Sequence, residues 1–579
     1  MLRLCVRRAT DRALLLALPA VLAACASGTA AGSKSAAEVP APGSLPLKYT
    51  PKPTSGAISA GDLMSRLYAF ADDSLMGRDA GTEGSYKATA MLAREVERLG
   101  LKPAGENGTY FQVLPLKNKR IDSTSTFLVG TESLKLRTEW GFSGAKNIAW
   151  SSAPVIFGGE LGKNALPADQ AAGKVVAYTM PLSQAGVELA LEGKNLLPAG
   201  AKGMVVIIPP QAVGIFGFIM GSGAFVDDAA SPDESRVFAL AAASPKLFGK
   251  PVNELTVGMS GNALTVDAKV AVTPSPFQAR NVVAILPGSD PALRNSYVAI
   301  GAHSDHVGMA RRAADHDSML VLNRIARPGG AEDQGKMPTA EQWAQINQEL
   351  ATIRKTKAPR RDSIFNGADD DGSGSVAVQE IAEYLSSLGT KPKRSILFVW
   401  HVGEEKGLWG SAYFTDHPTV PRDSIIAQLN MDMVGRGAAT DETGKSKDGA
   451  PLRGGPNYVQ LVGSRRLSTE LGDLVEKVNK EKGHNLTFDY GMDANGHPMN
   501  IYCRSDHYEY ARYNIPVTFF TTGGHSAYHQ LTDEPQYIDY QHMTKVTKLV
   551  ADIALTLGNS ATRPKVDGAK MDPKGSCKQ

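Results

Sequence analysis

The sequence has few cysteines and, after its first residues, no long apolar run. Of four cysteines in 579 residues, Cys5 and Cys25 lie in or directly after the leader, and Cys503 and Cys577 lie far apart near the end. Two cysteines so widely separated do not form a zinc knuckle. An exported compartment would allow them to pair, which the sequence alone does not decide. No apolar run after residue 24 is long enough for a membrane-spanning helix.

Neither sign of charge is in large excess. The formal net charge is +3, and residues 1–24 contain four arginines and one aspartate, which account for all of it. The remaining chain is near neutrality, which excludes the basic surface of a nucleic-acid-binding protein. Apolar residues make up 42% and charged residues 21%, as in globular proteins with a sizeable core. The length predicts two or three domains.

Residues 1–24 predict a signal peptide, because arginines precede a short apolar run at residues 13–24. Leu22-Ala23-Ala24-Cys25 resembles a bacterial lipobox. This resemblance implies cleavage before Cys25, lipidation of its thiol, and anchorage to a bacterial membrane, facing the periplasm or the cell surface. Residues 25–56 are rich in Ala, Gly, Ser and Pro and predict a flexible tether.

The rest of the chain predicts an α/β protein in which helices flank a mixed central sheet. The α/β pattern occupies residues 57–118 and 275–560. Residues 119–274 alternate short strands with turns and predict a mainly β insert, and residues 561–579 form a C-terminal tail. Residues 306–365 are rich in charge and contain one helix with a capping box at Thr339 and Gln342, which predicts a lid-like insertion.

Residues 395–410 are the stretch around which the α/β part is organised. A buried strand ends there at two adjacent carboxylates, Glu404 and Glu405. In open α/β sheets, ligands bind beyond the carboxyl ends of strands. Other predicted strands and one helix start carry the same kind of side chain: His303, Asp305, Asp369, Asp370, Asp371, Asp432, His525 and His529.

Imidazoles and carboxylates at one sheet edge are the ligands expected for zinc or a similar divalent ion. One zinc needs three protein ligands and a water, so five candidates indicate two ions that share a bridging carboxylate. A further carboxylate outside the ligand set can then act as the general base. Each residue also has a structural interpretation: residues 369–371 are typical of a helix N-cap, and a single histidine is usually structural.

The motifs GAHSDH, NGADDDGSG, VGEEKGLWGS, LNMDMVG, SDH and YHQLTDEP, in this order, resemble the M28 family of co-catalytic zinc exopeptidases. The resemblance covers residues 58–114 and 279–557 and implies the phosphorylase/hydrolase-like fold of zinc exopeptidases. It implies that His303 and Asp432 hold one Zn²⁺, that Glu405 and His529 hold a second, and that Asp370 bridges them. It further implies three catalytic roles: Glu404 as general base, Asp305 as the residue that orients His303, and Tyr502 as a donor to the oxyanion.

By the same resemblance, the chain removes N-terminal residues from peptides through a hydroxide that bridges two zinc ions, and residues 119–274 resemble a protease-associated domain. A carboxypeptidase stays open, since it needs a cation for the substrate carboxylate. A single-zinc acyltransferase similar to glutaminyl cyclase and a catalytically silent binding protein are further alternatives. We expect His306 and His316 to be solvated histidines without a chemical role. The candidate cations are Arg311, Arg312, Arg360, Arg361, Arg436 and Arg504.

Overall fold

The computed structural model of the chain describes residues 41–163, 166–192, 196–214, 219, 223–228, 236–575 and 577–579. The predicted signal peptide and Cys25 lie outside these residues, so the lipid anchor stays a prediction from the sequence. Within the described ranges, no helix combines the length and the apolar character needed to cross a membrane.

The helices and strands follow one another along the chain in three groups. The first group is α1 Ala60–Phe70, α2 Glu83–Arg98, β1 Lys102–Pro103 and β2 Phe111–Leu114. The second is β3 Leu116–Ile121, β4 Thr126–Val129, β5 Glu132–Leu134, β6 Trp140–Ser143, β7 Ile148–Ala153, β8 Val155–Glu160, α3 Ala168–Ala171, β9 Val175–Thr179, α4 Gln184–Glu192, β10 Gly203–Ile208, β11 Gly223–Val226, β12 Arg236–Leu240, α5 Ser244–Phe248, β13 Leu264–Ala268 and β14 Val270–Pro274. The third is β15 Ala279–Leu286, β16 Tyr297–His303, β17 Met309–Asp315, α6 His316–Ala326, α7 Ala340–Ile353, β18 Arg361–Ile364, α8 Gly374–Ser387, β19 Ser395–His401, α9 Trp409–Asp416, β20 Ile425–Met431, β21 Glu442–Lys445, β22 Pro451–Arg453, β23 Tyr458–Val462, α10 Thr469–Glu481, β24 Thr487–Asp489, α11 His507–Ala511, β25 Val517–Thr521 and α12 Tyr540–Asn559.

A mixed sheet of nine strands forms the centre of the α/β part, which confirms the predicted fold class. The strand order is β1, β15, β19, β16, β20, β25, β23, β24, and β2 also pairs with β15. The four central strands β19, β16, β20 and β25 run parallel to one another. Antiparallel pairs of β15 with β19 and of β23 with β25 border them on either side.

Alternation along the strands places apolar side chains on both faces of this sheet. On β19, Ile396, Phe398 and Trp400 join one core cluster with α1, α8 and α12, whereas Leu397 and Val399 join another with α9 and α11. Period-two alternation in a strand produces this division. Because helices cover both faces, the central strands are buried along their whole length, and access to the sheet is left at the strand ends.

The parallel strands end in register. His303, the last residue of β16, pairs with His401, the last residue of β19, and Gly301 of β16 pairs with Asn430 of β20. Asn430 in turn pairs with Phe519 of β25. The loops that leave these strands therefore start side by side at one edge of the sheet, as the sequence analysis assumed.

The second group of elements, β3 to β14, forms a hydrophobic core of its own. Short strands were expected in residues 119–274, and three of them, β8, β9 and β10, are parallel neighbours in a five-stranded sheet. Its apolar side chains form a core cluster separate from that of the central sheet. Strands β3 and β14 pair with each other and bring the two ends of this segment together, as an inserted segment requires. The resemblance to a protease-associated domain stays a prediction.

Residues 306–365 contain more structure than the sequence predicted. The helix with the capping box at Thr339 is α7, and both hydrogen bonds of the box are present. A second helix, α6, was missed, because it follows the charged strand β17 without a break. Strands β17 and β18 pair and close the segment at its base.

The predicted tether and tail both contact the folded domain. Residues 41–56 have no helix or strand, yet Leu45 is buried and the Tyr68 hydroxyl donates to the carbonyl of Pro46. The flexible tether therefore does not extend to residue 56. In the tail, Cys577 forms a disulfide with Cys503, with 5.8 Å between their Cα atoms.

Candidate metal centre

The turn before α8 carries the central carboxylate of the site, Asp370. Gly367 has a φ of +56°, and a Cβ atom there would lie 2.5 Å from the His306 ring, so glycine is required. The buried carboxylate of Asp533 accepts the backbone N–H groups of Asp369 and Asp370. The close packing at Gly367 and the hydrogen bonds to Asp533 therefore fix the backbone of this turn, and with it the direction of the Asp370 side chain.

The Asp370 carboxylate faces two histidines from different loops. Its Oδ1 lies 3.2 Å from Nε2 of His303, and its Oδ2 lies 2.9 Å from Nε2 of His529. Burial raises the pKa of Asp370, but the bonds with the two imidazoles outweigh burial and hold the pKa well below its usual range. A carboxylate whose two oxygens face separate donors has the arrangement of a bridging ligand.

Four side chains form the first donor group, called here the His529 group: His306, Asp370, Glu405 and His529. Glu405 is its second carboxylate, with Oε2 3.0 Å from Nε2 of His529 and Oε1 2.8 Å from Nδ1 of His306. Burial and Asp370 raise the pKa of Glu405, whereas the His529 and His306 imidazoles lower it more strongly, to about 2. Glu405 is therefore a charged donor at neutral pH.

The second donor group, called here the His303 group, consists of His303 and Asp432 together with the shared Asp370. Nε2 of His303 lies 3.6 Å from Oδ1 of Asp432. The Ser505 hydroxyl donates to Oδ2 of Asp432 at 2.8 Å. This hydrogen bond leaves Oδ1 directed at the imidazole.

Asp371 also lies beside the His303 group but has a structural role. Its Oδ2 accepts the backbone N–H of His303, and its Oδ1 accepts those of Gly374 and Met433. Asp371 thus ties three segments of the site together. Its carboxylate also lies close enough to His303 and Asp432 to be a candidate ligand, but three of its roughly four acceptor positions are already taken by backbone N–H groups.

The chemistry and spacing of these donors fit zinc. In the His529 group, the nitrogen and oxygen atoms are separated by 2.8 to 3.7 Å. Zinc at about 2.0–2.1 Å from tetrahedral ligands requires ligand separations of about 3.3 Å. Mixed imidazole and carboxylate ligands suit zinc and related divalent ions. The residues present therefore fit one ion in each group.

Glu404 lies next to the donors without belonging to either group. Its Oε2 is 4.0 Å from Nε2 of His303, and its backbone N–H donates to Oδ1 of Asp305 at 3.2 Å. Burial raises the pKa of Glu404 well above its usual value, with the neighbouring Glu405 adding to the effect and His303 opposing it. Glu404 therefore meets the steric requirement for a proton carrier beside the donors.

Asp305 contacts both Glu404 and His303. Nδ1 of His303 lies 3.2 Å from the backbone carbonyl of Asp305 and 3.7 Å from its carboxylate. The carbonyl is thus the closer partner of the imidazole, while the carboxylate holds the Glu404 backbone. The predicted role of orienting His303 is therefore shared between the backbone carbonyl and the side-chain carboxylate of Asp305.

Residues 281–554 match the model of Peptidase family M28. These residues belong to peptidase family M28. The match begins in β15 and ends in α12, so the M28 domain contains every strand end that carries a donor.

The M28 domain is similar to curated and structurally known peptidases. "Leupeptin-inactivating enzyme 1" of Streptomyces exfoliatus is 42% identical over 77 residues, or 13% of this chain and 18% of that protein. "Leucine aminopeptidase 1" of Paracoccidioides brasiliensis (strain Pb03) is 28% identical over 221 residues, or 37% of this chain and 49% of that protein. The chain thus spans about half the length, or less, of these two relatives.

Two solved structures resemble the chain over most of its length. An aminopeptidase from Aneurinibacillus sp. strain AM-1 is 16% identical, covers 89% of this chain and 97% of its own, and has a TM-score of 0.45. A zinc aminopeptidase from Bacillus subtilis is 15% identical, covers 87% of this chain and 95% of its own, and has a TM-score of 0.42.

Tyr502 lies away from the donors of the M28 domain, which contradicts the predicted oxyanion role. Its hydroxyl donates to Sδ of Met571 at 3.7 Å, in the apolar cluster that contains α9 and α11. Its ring packs against His507 and under the Arg466 guanidinium. Position in the motif suggested the role, but the side chain is directed into the core.

His525 is also structural. It is fully buried, and its Nε2 lies 3.1 Å from Oδ2 of Asp369. The other oxygen of Asp369 accepts the N–H of Gly435. These contacts tie the His529 loop to the turn before α8.

The sequence analysis missed or misjudged four side chains in and around the site. His306 and His316 are buried, not solvated, and His306 belongs to the His529 group. Arg78 is buried beside the loop after His303 and the turn before Asp370. Tyr528 precedes His529, stacks on its ring at 4.0 Å and lines the adjoining cavity. For Tyr528 and His306, the available signal was their position close to a predicted ligand; Arg78 and His316 reach their places through the path of the chain.

Proposed function

We propose that this protein is an exported zinc aminopeptidase that hydrolyses peptides at their N-terminal residue. The observation that carries the proposal is the Asp370 carboxylate, whose two oxygens face two different donor groups. The His529 group and the His303 group would each hold one Zn²⁺, with Asp370 shared between them. A pair of divalent ions about 3.5–4 Å apart is the usual arrangement in aminopeptidases of this type.

Zinc ions, when bound here, would polarise the substrate carbonyl and make a nearby water molecule acidic enough to attack near neutral pH. The protein's part is the movement of the proton. Glu404 would accept a proton from the attacking water and deliver it to the leaving amine. Its backbone is held by Asp305, so the carboxylate stays beside the His303 group through both steps.

Besides Glu404, Tyr528 is available to stabilise the oxyanion that forms during the attack. Tyr528 lines the cavity and stacks on His529, whereas Tyr502 is directed into the core. Preorganised donors aimed at a developing oxyanion are a major source of catalysis. Tyr528 therefore takes the role that the sequence analysis gave to Tyr502.

The cavity next to the donors supports cleavage at the N-terminus. It has a volume of about 270 Å³, and Asp432 and Tyr528 form part of its wall. The wall contains four carboxylates and two cations, and this excess of negative charge favours a substrate ammonium group. Of these groups, Arg504 is paired with Glu332 at 2.7 Å, and Asp333 is paired with Lys336 at 2.6 Å. The further charged residues of the wall are Glu442 and Lys445.

The cavity also has an apolar part that suits a bulky apolar side chain at the substrate N-terminus. Methionines are flexible and adapt to different apolar partners. The name of the curated relative "Leucine aminopeptidase 1" agrees with such a preference. The apolar wall consists of Met433, Met492, Met499, Ile501 and Phe519.

The variant Glu404→Gln tests the mechanism. We expect kcat to fall by about 10²–10⁴-fold, because the proton carrier is lost, while two zinc ions per chain remain bound. Glu341→Gln, at an exposed position in the first turn of α7, is the matched control and should keep full activity. Undiminished turnover by Glu404→Gln would rule out the mechanism.

Blocked peptides test the direction of cleavage. Peptides with a free amino group and an amidated carboxyl group should be hydrolysed, and N-acetylated peptides should not. The opposite result would identify a carboxypeptidase. A chain that binds no zinc and cleaves no peptide would refute the proposed function as a whole.

A further inference from the structure

His306 is a fully buried histidine whose nearest polar neighbour is the Glu405 carboxylate of the His529 group. Its side chain has no exposed surface, and neither ring nitrogen makes a hydrogen bond within the described residues. Burial of a polar group without a well-formed hydrogen bond costs free energy, and an ion held between His306 and its neighbours would offset that cost.

The ring of His306 is directed at the His529 group. Its Nδ1 lies 2.8 Å from Oε1 of Glu405 and 3.7 Å from Oδ2 of Asp370. Oε1 of Glu405 also lacks a hydrogen bond. The rings of His306 and His529 stand at 75° with their centres 5.4 Å apart, so they approach the same point from different directions.

The two donor groups therefore differ in the number of protein ligands. The His529 group offers His306, Asp370, Glu405 and His529, which makes four. The His303 group offers His303, Asp432 and the shared Asp370, because Asp371 is engaged by backbone N–H groups. Four protein ligands are typical of a closed structural zinc site, and three leave the open position that catalysis needs.

We infer that His306 is a fourth protein ligand for the ion that the His529 group would hold, so that this group offers one protein ligand more than the His303 group. The inference rests on the proposed function, since it assumes that both groups bind zinc. The ion held by four protein ligands would bind more tightly, and the ion held by three would exchange more readily.

Zinc titration of the variant His306→Ala against a competing chelator tests this assignment. In the unmodified protein, we expect two zinc ions that are released in two separate steps. In His306→Ala, the affinity for the tighter ion should fall by about 100-fold or more. Replacing residues that only hydrogen-bond to a metal ligand already lowers metal affinity by about 10- to 100-fold, so the loss of a ligand should cost at least as much. The affinity of the weaker ion should stay within about threefold.

His542→Gln is the matched control. His542 is also buried, but its Nε2 bonds to the backbone carbonyl of Tyr458, in a different part of the sheet. Both zinc affinities should be unchanged in this variant. If His306→Ala leaves both affinities intact, or weakens both equally, His306 is not a ligand of one ion and the inference is wrong.

X-ray absorption of the unmodified protein loaded with one equivalent of zinc gives an answer even if His306→Ala fails to fold. The scattering should require two imidazoles per zinc, from His306 and His529. A single imidazole would overturn the inference while leaving the proposed peptidase intact. Loss of peptide cleavage in Glu404→Gln is independent of both results, so the proposed function and this inference are tested separately.

Discussion

Arg78 joins the two loops that carry His303 and Asp370. Its guanidinium donates to the carbonyl of Ser304, the residue directly after β16, and to those of Asn366 and Gly367 in the turn before α8. The side chain is 1% exposed. Burial lowers the pKa of Arg78, while nearby carboxylates, Asp370 first among them, oppose the decrease. A buried cation thus fixes the backbone of the site and offsets part of its negative charge.

Replacing Arg78 with methionine should destabilise the protein even without metal. The variant leaves several buried carbonyl groups unpaired, and the free energy of unfolding should fall by about 3 kcal/mol. Urea unfolding of the metal-free protein measures this. In the control Arg98→Met, a half-exposed arginine on α2 is lost, and the change should stay below about 1 kcal/mol. Equal effects of the two substitutions would show that Arg78 has no special structural role.

At this scale the sequence predicted the residues that stand at strand ends and missed those that arrive from elsewhere. His303, Glu405 and Asp432 follow apolar strands, so their common edge could be derived from periodicity. His306 lies three residues after His303, yet its burial was not predicted, whereas Arg78 reaches the site because the chain folds back, more than 200 residues from Ser304. Such contacts depend on the path of loops, which no local pattern encodes.

The segment from β17 to β18 braces the loop that carries His529. The N–H of Ala331 donates to the carbonyl of Tyr528 at 3.0 Å. From α6, Asn323 donates to Gln530, whose amide in turn donates to the carbonyl of His529. His529 has a φ of +52°, a conformation that needs support from its surroundings. The insertion predicted to be a lid therefore supports the proposed zinc ligand His529 directly.

A second set of contacts ties the same segment to the end of the loop. Arg360 forms two hydrogen bonds of 2.6 Å with the Glu534 carboxylate, the bidentate arrangement that gives arginine its geometric specificity. Nε2 of His316 also lies 2.6 Å from Oε2 of Glu534. Arg360 was a candidate for binding a substrate carboxylate, and this pairing gives it a structural role.

A substitution at Gly330 tests whether the segment from β17 to β18 supports the His529 loop. Gly330 has a φ of +59°, and a Cβ atom there would lie 2.6 Å from the carbonyl oxygen of Tyr528. Gly330→Ala should displace the loop and lower kcat/KM by about 100-fold, the loss typical of a 1 Å misplacement. In Gly335→Ala, a control in the same segment with nothing within 4 Å of the new Cβ, activity should be unchanged. Full activity of Gly330→Ala would show that the segment is a passive cover.

The helices and strands of the α/β part could be predicted from sequence because their patterns are strong. The helix expected to start at residues 369–371 is α8, Gly374–Ser387, and the strand expected to end before Glu404 is β19, Ser395–His401. The insertion was harder. Its helix α6 lies among charged residues, and its partly buried side chains contact the His529 loop, not a core that periodicity would reveal.

At the scale of the whole molecule, the C-terminal tail closes back on the sheet. Gln579 donates to the carbonyls of Met492 and Ala494, and the Arg512 guanidinium donates to the carbonyl of Pro573 in the tail. The Cys503–Cys577 disulfide secures this tail next to Ile501 and Arg504, which line the cavity. The sequence allowed the pairing without predicting it, because the distance between two cysteines in space depends on the completed fold.

Removing the disulfide should cost stability and leave the zinc site intact. The bridge closes a loop of 74 residues, and the loss of chain entropy in the unfolded state corresponds to about 4 kcal/mol. The double variant Cys503→Ser/Cys577→Ser should therefore unfold at a lower urea concentration and still bind two zinc ions. The unmodified protein with its disulfide reduced should show the same unfolding curve as the double variant, which controls for effects of the serines. Equal stability with and without the bridge would mean that the hydrogen bonds of Gln579 and Arg512 hold the tail by themselves. A loss of zinc would mean that the tail positions the metal centre as well as the cavity wall.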